Sequence, residues 1–93
     1  MSTVTIFEPT SPSEFLGFSD AQAHAIKDAK RGLLYRTSSG WRRKGGPLIY
    51  AITVTSLEDR GILRKCKAQS GHRIAILTQA GVVCADMLAG STR

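Results

Sequence analysis

The sequence predicts a small α+β domain built from two to three helices and a β-hairpin, preceded by an N-terminal arm. The length of 93 residues allows one modest hydrophobic core and excludes a barrel enzyme or a two-lobed dinucleotide-binding enzyme. Apolar residues make up 42% of the chain and charged residues 22%, which is typical of a folded globular protein. Segments with helical caps and helical spacing alternate with segments of strand and turn composition, so both element types are expected.

The chain divides into an arm over residues 1–18, a domain over residues 19–90 and a tail over residues 91–93. Pro9 and Pro12 interrupt regular structure, so the arm is expected to be extended or partly disordered. The first ten residues lack the charge and apolar run of a signal peptide, and no segment has the roughly 20 apolar residues that span a bilayer. We therefore expect a cytoplasmic protein whose two cysteines are reduced.

The first helix is predicted over residues 20–31. Ser19 and Gln22 have the spacing of a capping box, in which each side chain accepts a hydrogen bond from the other's backbone N–H. Gly32 then predicts a left-handed stop. The segment from Gly32 to Gly46 is rich in turn residues, which indicates a hairpin or an ordered loop.

A second helix is predicted to follow Pro47, a residue that suits a first helical turn. Its apolar face has the spacing of Tyr50, Val54 and Leu57, with Gly61 as the stop. The β-branched run 52–55 favours a strand instead, but such a strand would end abruptly at residues 56–60.

A β-hairpin over residues 62–77 and a last helix over 79–89 complete the domain. Thr78 is the expected cap, and Val83 and Met87 belong to the expected apolar stripe of this helix.

Positive charge is concentrated in the middle of the chain. The net charge is +6, but 12 of the 13 Lys and Arg residues lie in residues 27–73, which contain 3 acidic residues. Residues 1–20 contain 3 acidic residues and no cation. This asymmetry favours a nucleic-acid binder. The alternative is a basic face that only keeps the protein soluble.

The second half of the chain resembles the winged helix-turn-helix regulators, with the MarR-like and PadR-like repressors nearest in pattern. The resemblance covers residues 47–90 and rests on two stretches, Thr53-Val54-x-x-Leu57-x-x-Arg60-Gly61-Ile62-Leu63-Arg64 and Gly71-His72-Arg73-Ile74-x-Ile76-Leu77-Thr78-x-x-Gly81. It implies a winged-helix-like domain with a recognition helix, a two-stranded wing and a closing helix. The family has a full helix before its recognition helix, whereas residues 33–46 contain Ser38-Ser39-Gly40 and Gly45-Gly46, which disfavour one. Either that helix is short and distorted here, or a hairpin replaces it.

The candidate nucleic-acid-binding residues fall into three groups: a basic cluster expected to contact phosphates, two hydroxyl residues on the recognition helix, and the cationic residues of the wing. In that order they are Arg42, Arg43, Lys44; Thr55, Ser56; and Lys65, Lys67, His72, Arg73. Trp41 is expected to pack over the core rather than to stack on a base.

Catalysis and metal binding are not predicted. His24, Cys66, His72 and Cys84 lack paired ligand spacing, and the chain has no nucleophile elbow and no phosphate-binding glycine loop. The leading hypothesis is a DNA-binding module that acts as a small transcriptional regulator, without a cofactor. Double-stranded DNA is the expected partner, with RNA left open, and a homodimer is expected because a single helix and wing bind modestly. The alternative is a winged helix that binds proteins instead.

Overall fold

The computed structural model describes residues 16–90, which form three helices and five strands. The helices are α1 (Asp20–Arg31), α2 (Ala51–Asp59) and α3 (Gln79–Gly90). The strands are β1 (Leu34–Arg36), β2 (Gly40–Arg43), β3 (Ile49–Tyr50), β4 (Leu63–Lys67) and β5 (Arg73–Leu77). The predicted α+β class is confirmed, although the sheet is larger than the single hairpin that the sequence predicted. Residues 1–15 of the expected arm 1–18 and the expected tail 91–93 lie outside the described residues.

All five strands join one antiparallel sheet in the order β3-β2-β1-β5-β4. Because side chains alternate between the faces of a strand, each face collects every second residue. We call the inner face the one that carries Leu34 and Ala75, which are fully buried in a core shared with Ile26 of α1 and Val54 of α2. The outer face carries Tyr35 and Ile74, which oppose each other across β1 and β5. The helices therefore pack on one side of the sheet.

The capping box at the start of α1 is confirmed. The Ser19 hydroxyl accepts a hydrogen bond from the Gln22 backbone N–H at 3.1 Å, and the Gln22 amide oxygen accepts one from the Ser19 N–H at 2.9 Å. The predicted left-handed stop is wrong, because Gly32 has an extended backbone with φ −179°. An extended residue leads directly into β1, two residues further on.

The segment between α1 and α2 is a hairpin extended by a third strand, not a distorted helix. Strands β1 and β2 pair around the turn at residues 37–39, and β3 then pairs with β2. The third strand requires Gly40, because a Cβ there would collide with the backbone oxygen of Ile49. This glycine lets the two strands approach closely.

The second helix starts later than predicted. Pro47 does not lie in its first turn: the chain first pairs Ile49 with Trp41 as strand β3, and α2 begins at Ala51. The choice of helix over strand for the β-branched run is confirmed. Val54 and Leu57 are fully buried, whereas Tyr50 is 67% exposed and does not line the core. Tyr50 lies outside the helix, so the helical spacing did not apply to it.

The second hairpin and the last helix follow the prediction closely. The Thr78 hydroxyl accepts a hydrogen bond from the Gly81 N–H at 3.0 Å and so caps α3. The predicted apolar stripe is partly wrong, because Val83 and Met87 are exposed, while Ala85 and Leu88 are buried. At the start of α3, Gly81 lies so close to the Ile62 carbonyl that a Cβ would collide with it. This face of the helix therefore packs directly against the backbone of residue 62.

Arg60 connects residues 16–18 to the rest of the domain. Arg60 donates hydrogen bonds to the carbonyl oxygens of Leu16 and Gly17 at 3.1 and 2.9 Å. Its guanidinium lies 4.2 Å from the ring centre of the buried Phe18. This short segment therefore packs against the domain.

The two cysteines, Cys66 and Cys84, are free and half-buried. Within residues 16–90, the helices are all too short or too polar to cross a membrane.

Candidate nucleic-acid interface

The pairing of the strands places three cations side by side on the inner face. Lys67 of β4 lies directly opposite Arg73 of β5, and Arg36 of β1 lies opposite Trp41 of β2. Strands β1 and β5 pair at Tyr35 and Ile74, so continuing that register by one residue places Arg36 opposite Arg73. We call Arg36, Arg73 and Lys67 the cationic row. Neighbouring strands are about 4.8 Å apart, so the row extends about 10 Å across the sheet.

The cationic row opens into a groove of about 470 Å³ between the sheet and α2, which we call the basic groove. Helix α2 contributes Ala51 and Thr55 to its wall. None of the described residues that line it is acidic, so the groove is suited to an anion. The lining residues are Arg36, Trp41, Ala51, Thr55, Lys65, Cys66, Lys67 and Arg73.

Two of the cations in the groove are held by neighbouring groups. The Lys65 ammonium lies 3.2 Å from a Glu58 carboxylate oxygen and donates a hydrogen bond to the Thr55 hydroxyl at 3.2 Å. The Arg36 guanidinium donates to the Gly40 carbonyl at 3.0 Å. Glu58 thus neutralises one cation at the rim and leaves the rest of the groove positive.

Lys67 and Arg73 have no acidic partner among residues 16–90. Both side chains are exposed and face each other across the strand pair. Like charges directly opposite each other in a sheet are destabilising. No described acidic residue offsets this repulsion, but an anion bound between the two side chains would.

Trp41 forms the floor of the groove. Its exposed fraction is only 4%, and its ring is covered by Arg36 at 5.6 Å and by the Lys65 ammonium at 6.0 Å from the ring centre. The expectation that Trp41 packs over the core is confirmed. The covered ring offers no free face on which a nucleic-acid base could stack.

The three basic residues predicted as one phosphate-binding cluster do not share a surface. Arg42 lies on the outer face opposite Tyr35, and its Nε donates to the Gly46 carbonyl at 3.2 Å. Arg43 lies on the inner face, where its guanidinium donates to the Asp28 carboxylate at 3.4 Å. Lys44 is exposed in the following turn. Successive residues of a strand point to opposite faces, so adjacency in the sequence separates these side chains.

Arg43 belongs to a second groove, of about 530 Å³, between α1 and the β2–β3 segment. We call it the ion-paired groove. The Asp28 side chain is 10% exposed and the Arg43 side chain 24%, and Arg31 lies 4.0 Å from the same carboxylate. The Arg43 Nε is buried without an acceptor among residues 16–90. A half-buried arginine paired with a buried carboxylate contributes to the fold, and this one does not line the basic groove.

Two further predicted residues lie away from the basic groove. The Ser56 hydroxyl donates to the Thr53 carbonyl at 2.8 Å and accepts from the Gln22 amide at 3.0 Å, so it joins α2 to α1. The His72 Nδ1 lies 2.9 Å from the Ser70 hydroxyl, and its ring meets the edge of Tyr35 on the outer face.

Of the predicted residues, the structure brings together Thr55, Lys65, Lys67 and Arg73 in the basic groove. Arg36 was not among the predicted residues. Its place in the cationic row depends on the pairing of β1 with β5. These two strands are far apart in the sequence, with 36 residues between Arg36 and Arg73. The pattern Leu34-Tyr35-Arg36 was the only available signal, since alternation puts Arg36 on the same face as the buried Leu34.

The chemistry available in the basic groove is charge and hydrogen-bond donation. Within residues 16–90, no group of three His, Cys, Asp or Glu side chains is placed to hold a metal ion. Compared with protein-family models, with curated proteins and with solved structures, the chain gives no match.

Proposed function

We propose that this protein is a DNA-binding module that holds the phosphate backbone of a duplex in the basic groove. The observation that carries the proposal is the cationic row, in which Lys67 and Arg73 are opposed without an acidic partner among residues 16–90. Lys and Arg side chains on one surface that neutralise several phosphates account for most non-specific DNA affinity. A role as a small transcriptional regulator rests on the resemblance to winged-helix regulators alone, because phosphate contacts by themselves carry no sequence information.

The order of elements around the groove supports the proposal. Helix α2 is followed by the β4–β5 hairpin and then by α3, which Leu77 and Thr78 introduce. The resemblance assigns these elements as recognition helix, wing and closing helix. The basic groove lies between α2 and the hairpin, so a backbone lying in it would contact both elements at once.

Strands β2 and β3 precede α2 in the chain, at the position where the winged-helix family has the helix before its recognition helix. That helix normally crosses the DNA backbone and braces the recognition helix. Here β3 leads directly into α2 and anchors its start to the sheet through Ile49 and Trp41. We therefore propose a docking mode in which the sheet, rather than a second helix, supports α2 on the duplex.

The proposal is tested with the double variant Lys67→Ala/Arg73→Ala and a labelled 20-base-pair duplex in a fluorescence anisotropy titration at low salt. We expect affinity to fall about 10- to 100-fold, since each charge-assisted phosphate contact is worth about 1 kcal/mol or more. The slope of log affinity against log salt should become shallower by about 2.

The matched control is Arg64→Ala. Arg64 lies on the same strand as Lys67 but on the outer face, and it is also exposed. Its loss should change affinity by no more than about threefold and the salt slope by less than 1. Equal losses in both variants, or no binding by the unmodified protein, would refute the proposed interface.

A protein-interaction module is the second candidate, and one observation favours it. Leu48, Tyr50 and Ile52 are all exposed around the start of α2, with Ile52 at 77%. Exposed apolar side chains that form a patch are typical of protein-binding surfaces. Absence of DNA binding in the titration above would favour this candidate.

A further inference from the structure

We infer that this protein binds the backbone of duplex DNA without discriminating between base sequences. This inference rests on the proposed function and specifies its ligand: the phosphates of any duplex rather than the base edges of one site.

The unpaired cations of the basic groove, Lys67 and Arg73, lie where they can meet a DNA backbone and not a base pair. Reading a base requires a side chain that projects from a convex element into the DNA groove. Arg73 and Lys67 instead line a concave groove whose floor is Trp41. A phosphate strand can enter such a groove, whereas the base edges remain inside the duplex.

Helix α2 exposes little that can distinguish base pairs. Ile52 has no donor or acceptor, and the Thr55 hydroxyl already accepts a hydrogen bond from Lys65. Asp59 is exposed at the end of the helix, where its negative charge repels phosphates. Strong discrimination comes mainly from bidentate contacts by Arg, Lys, Asn or Gln, and these three side chains make none.

Amide side chains are scarce throughout the chain. The sequence has no asparagine and three glutamines, Gln22, Gln69 and Gln79. Gln22 is used in the capping box and in its bond to Ser56. Gln69 is exposed in the β4–β5 turn and is the glutamine to test as a base reader.

The experiment is a binding selection from a library of duplexes with a randomised 20-base-pair centre, followed by titration of enriched and unselected duplexes. We expect affinities within about threefold of each other and a common salt slope of about −3, as for three neutralised phosphates. Replacing Gln69 by Ala should leave this set of affinities unchanged.

An enriched sequence bound at least tenfold more tightly than unselected duplexes would overturn the inference and leave the proposed function standing. A preference that Gln69→Ala abolishes would locate the base reader in the β4–β5 turn and would overturn it equally. Failure to bind any duplex would instead refute the proposed function, and the inference with it.

Discussion

The two grooves of this protein contain arginines in opposite situations. In the ion-paired groove, Arg43 is half-buried and donates to the Asp28 carboxylate, with Arg31 nearby. In the basic groove, Arg73 is exposed beside Lys67 and no described carboxylate faces the pair. Helix α2 lines both grooves, the ion-paired groove through Thr53 and the basic groove through Thr55. A single helix thus separates cations that are neutralised within the fold from cations that are not.

The difference indicates how to distinguish structural from functional cations. A buried charge with a partner becomes costly when the partner is removed, because the remaining charge is left desolvated. An exposed charge beside a like charge costs free energy in the folded state, so its removal should not destabilise the protein. Substitutions in the ion-paired groove should therefore change stability but not DNA affinity. Substitutions in the basic groove should change DNA affinity but not lower stability.

The largest effect on stability is expected from Asp28→Ala. The substitution leaves Arg43 half-buried without its carboxylate, and we expect a loss of about 1–3 kcal/mol in the free energy of unfolding, reduced from a fully buried pair by the partial exposure of Arg43. Urea denaturation followed by circular dichroism measures it.

The matched control for that substitution is Asp86→Ala. Asp86 pairs with Lys30 at 3.0 Å, but both side chains are at least half exposed. Its removal should cost no more than about 0.5 kcal/mol, and both variants should bind DNA equally well. If the two aspartates proved equivalent in stability, the distinction between the two grooves would fail.

An intermediate effect is expected from Glu58→Gln, which removes the carboxylate that neutralises Lys65 at the rim of the basic groove. Removing this negative charge should strengthen DNA binding about two- to threefold at low salt. The gain should disappear at high salt, because salt screens the charges. Titrations at two salt concentrations measure this.

Asp59→Asn is the control for that experiment. It changes the net charge equally, but Asp59 is not a lining residue of the groove. A gain as large as that of Glu58→Gln would mean that net charge, and not the groove, controls affinity.

The smallest effect is expected for the stability of Lys67→Ala. Removing one member of the opposed pair should leave the free energy of unfolding unchanged or raise it by a few tenths of a kcal/mol. The difference should shrink in 1 M salt, where charges are screened within about 3 Å. A loss above about 1 kcal/mol would show that Lys67 supports the fold, contrary to the comparison above.

Much of the fold was predictable because its signals are local. A cap needs only residues three positions apart, so Ser19 and Thr78 located the starts of α1 and α3. The β4–β5 hairpin was predictable for the same reason, since its turn and both strands lie in one stretch of 16 residues, 62–77. Strand β3 was missed because its two residues have a partner only once β2 is in place.

The candidate site was predictable only in part. Lys65, Lys67 and Arg73 were found because one hairpin contains them all. The cluster at residues 42–44 was misleading as a single surface, because strand alternation separates Arg42 from Arg43. Arg36 was missed because nothing near it in the chain indicates its neighbours.

By itself, the sequence determined the α+β class, the boundaries of α1 and the second hairpin, and the excess of positive charge. These depend on composition and on contacts between residues close in the chain. Only the tertiary structure decided which cations are neutralised and which face each other, because strand order and register bring together residues as distant as Arg36 and Lys67. The electrostatic energy of a charge depends on its neighbours in space, and the sheet sets those neighbours.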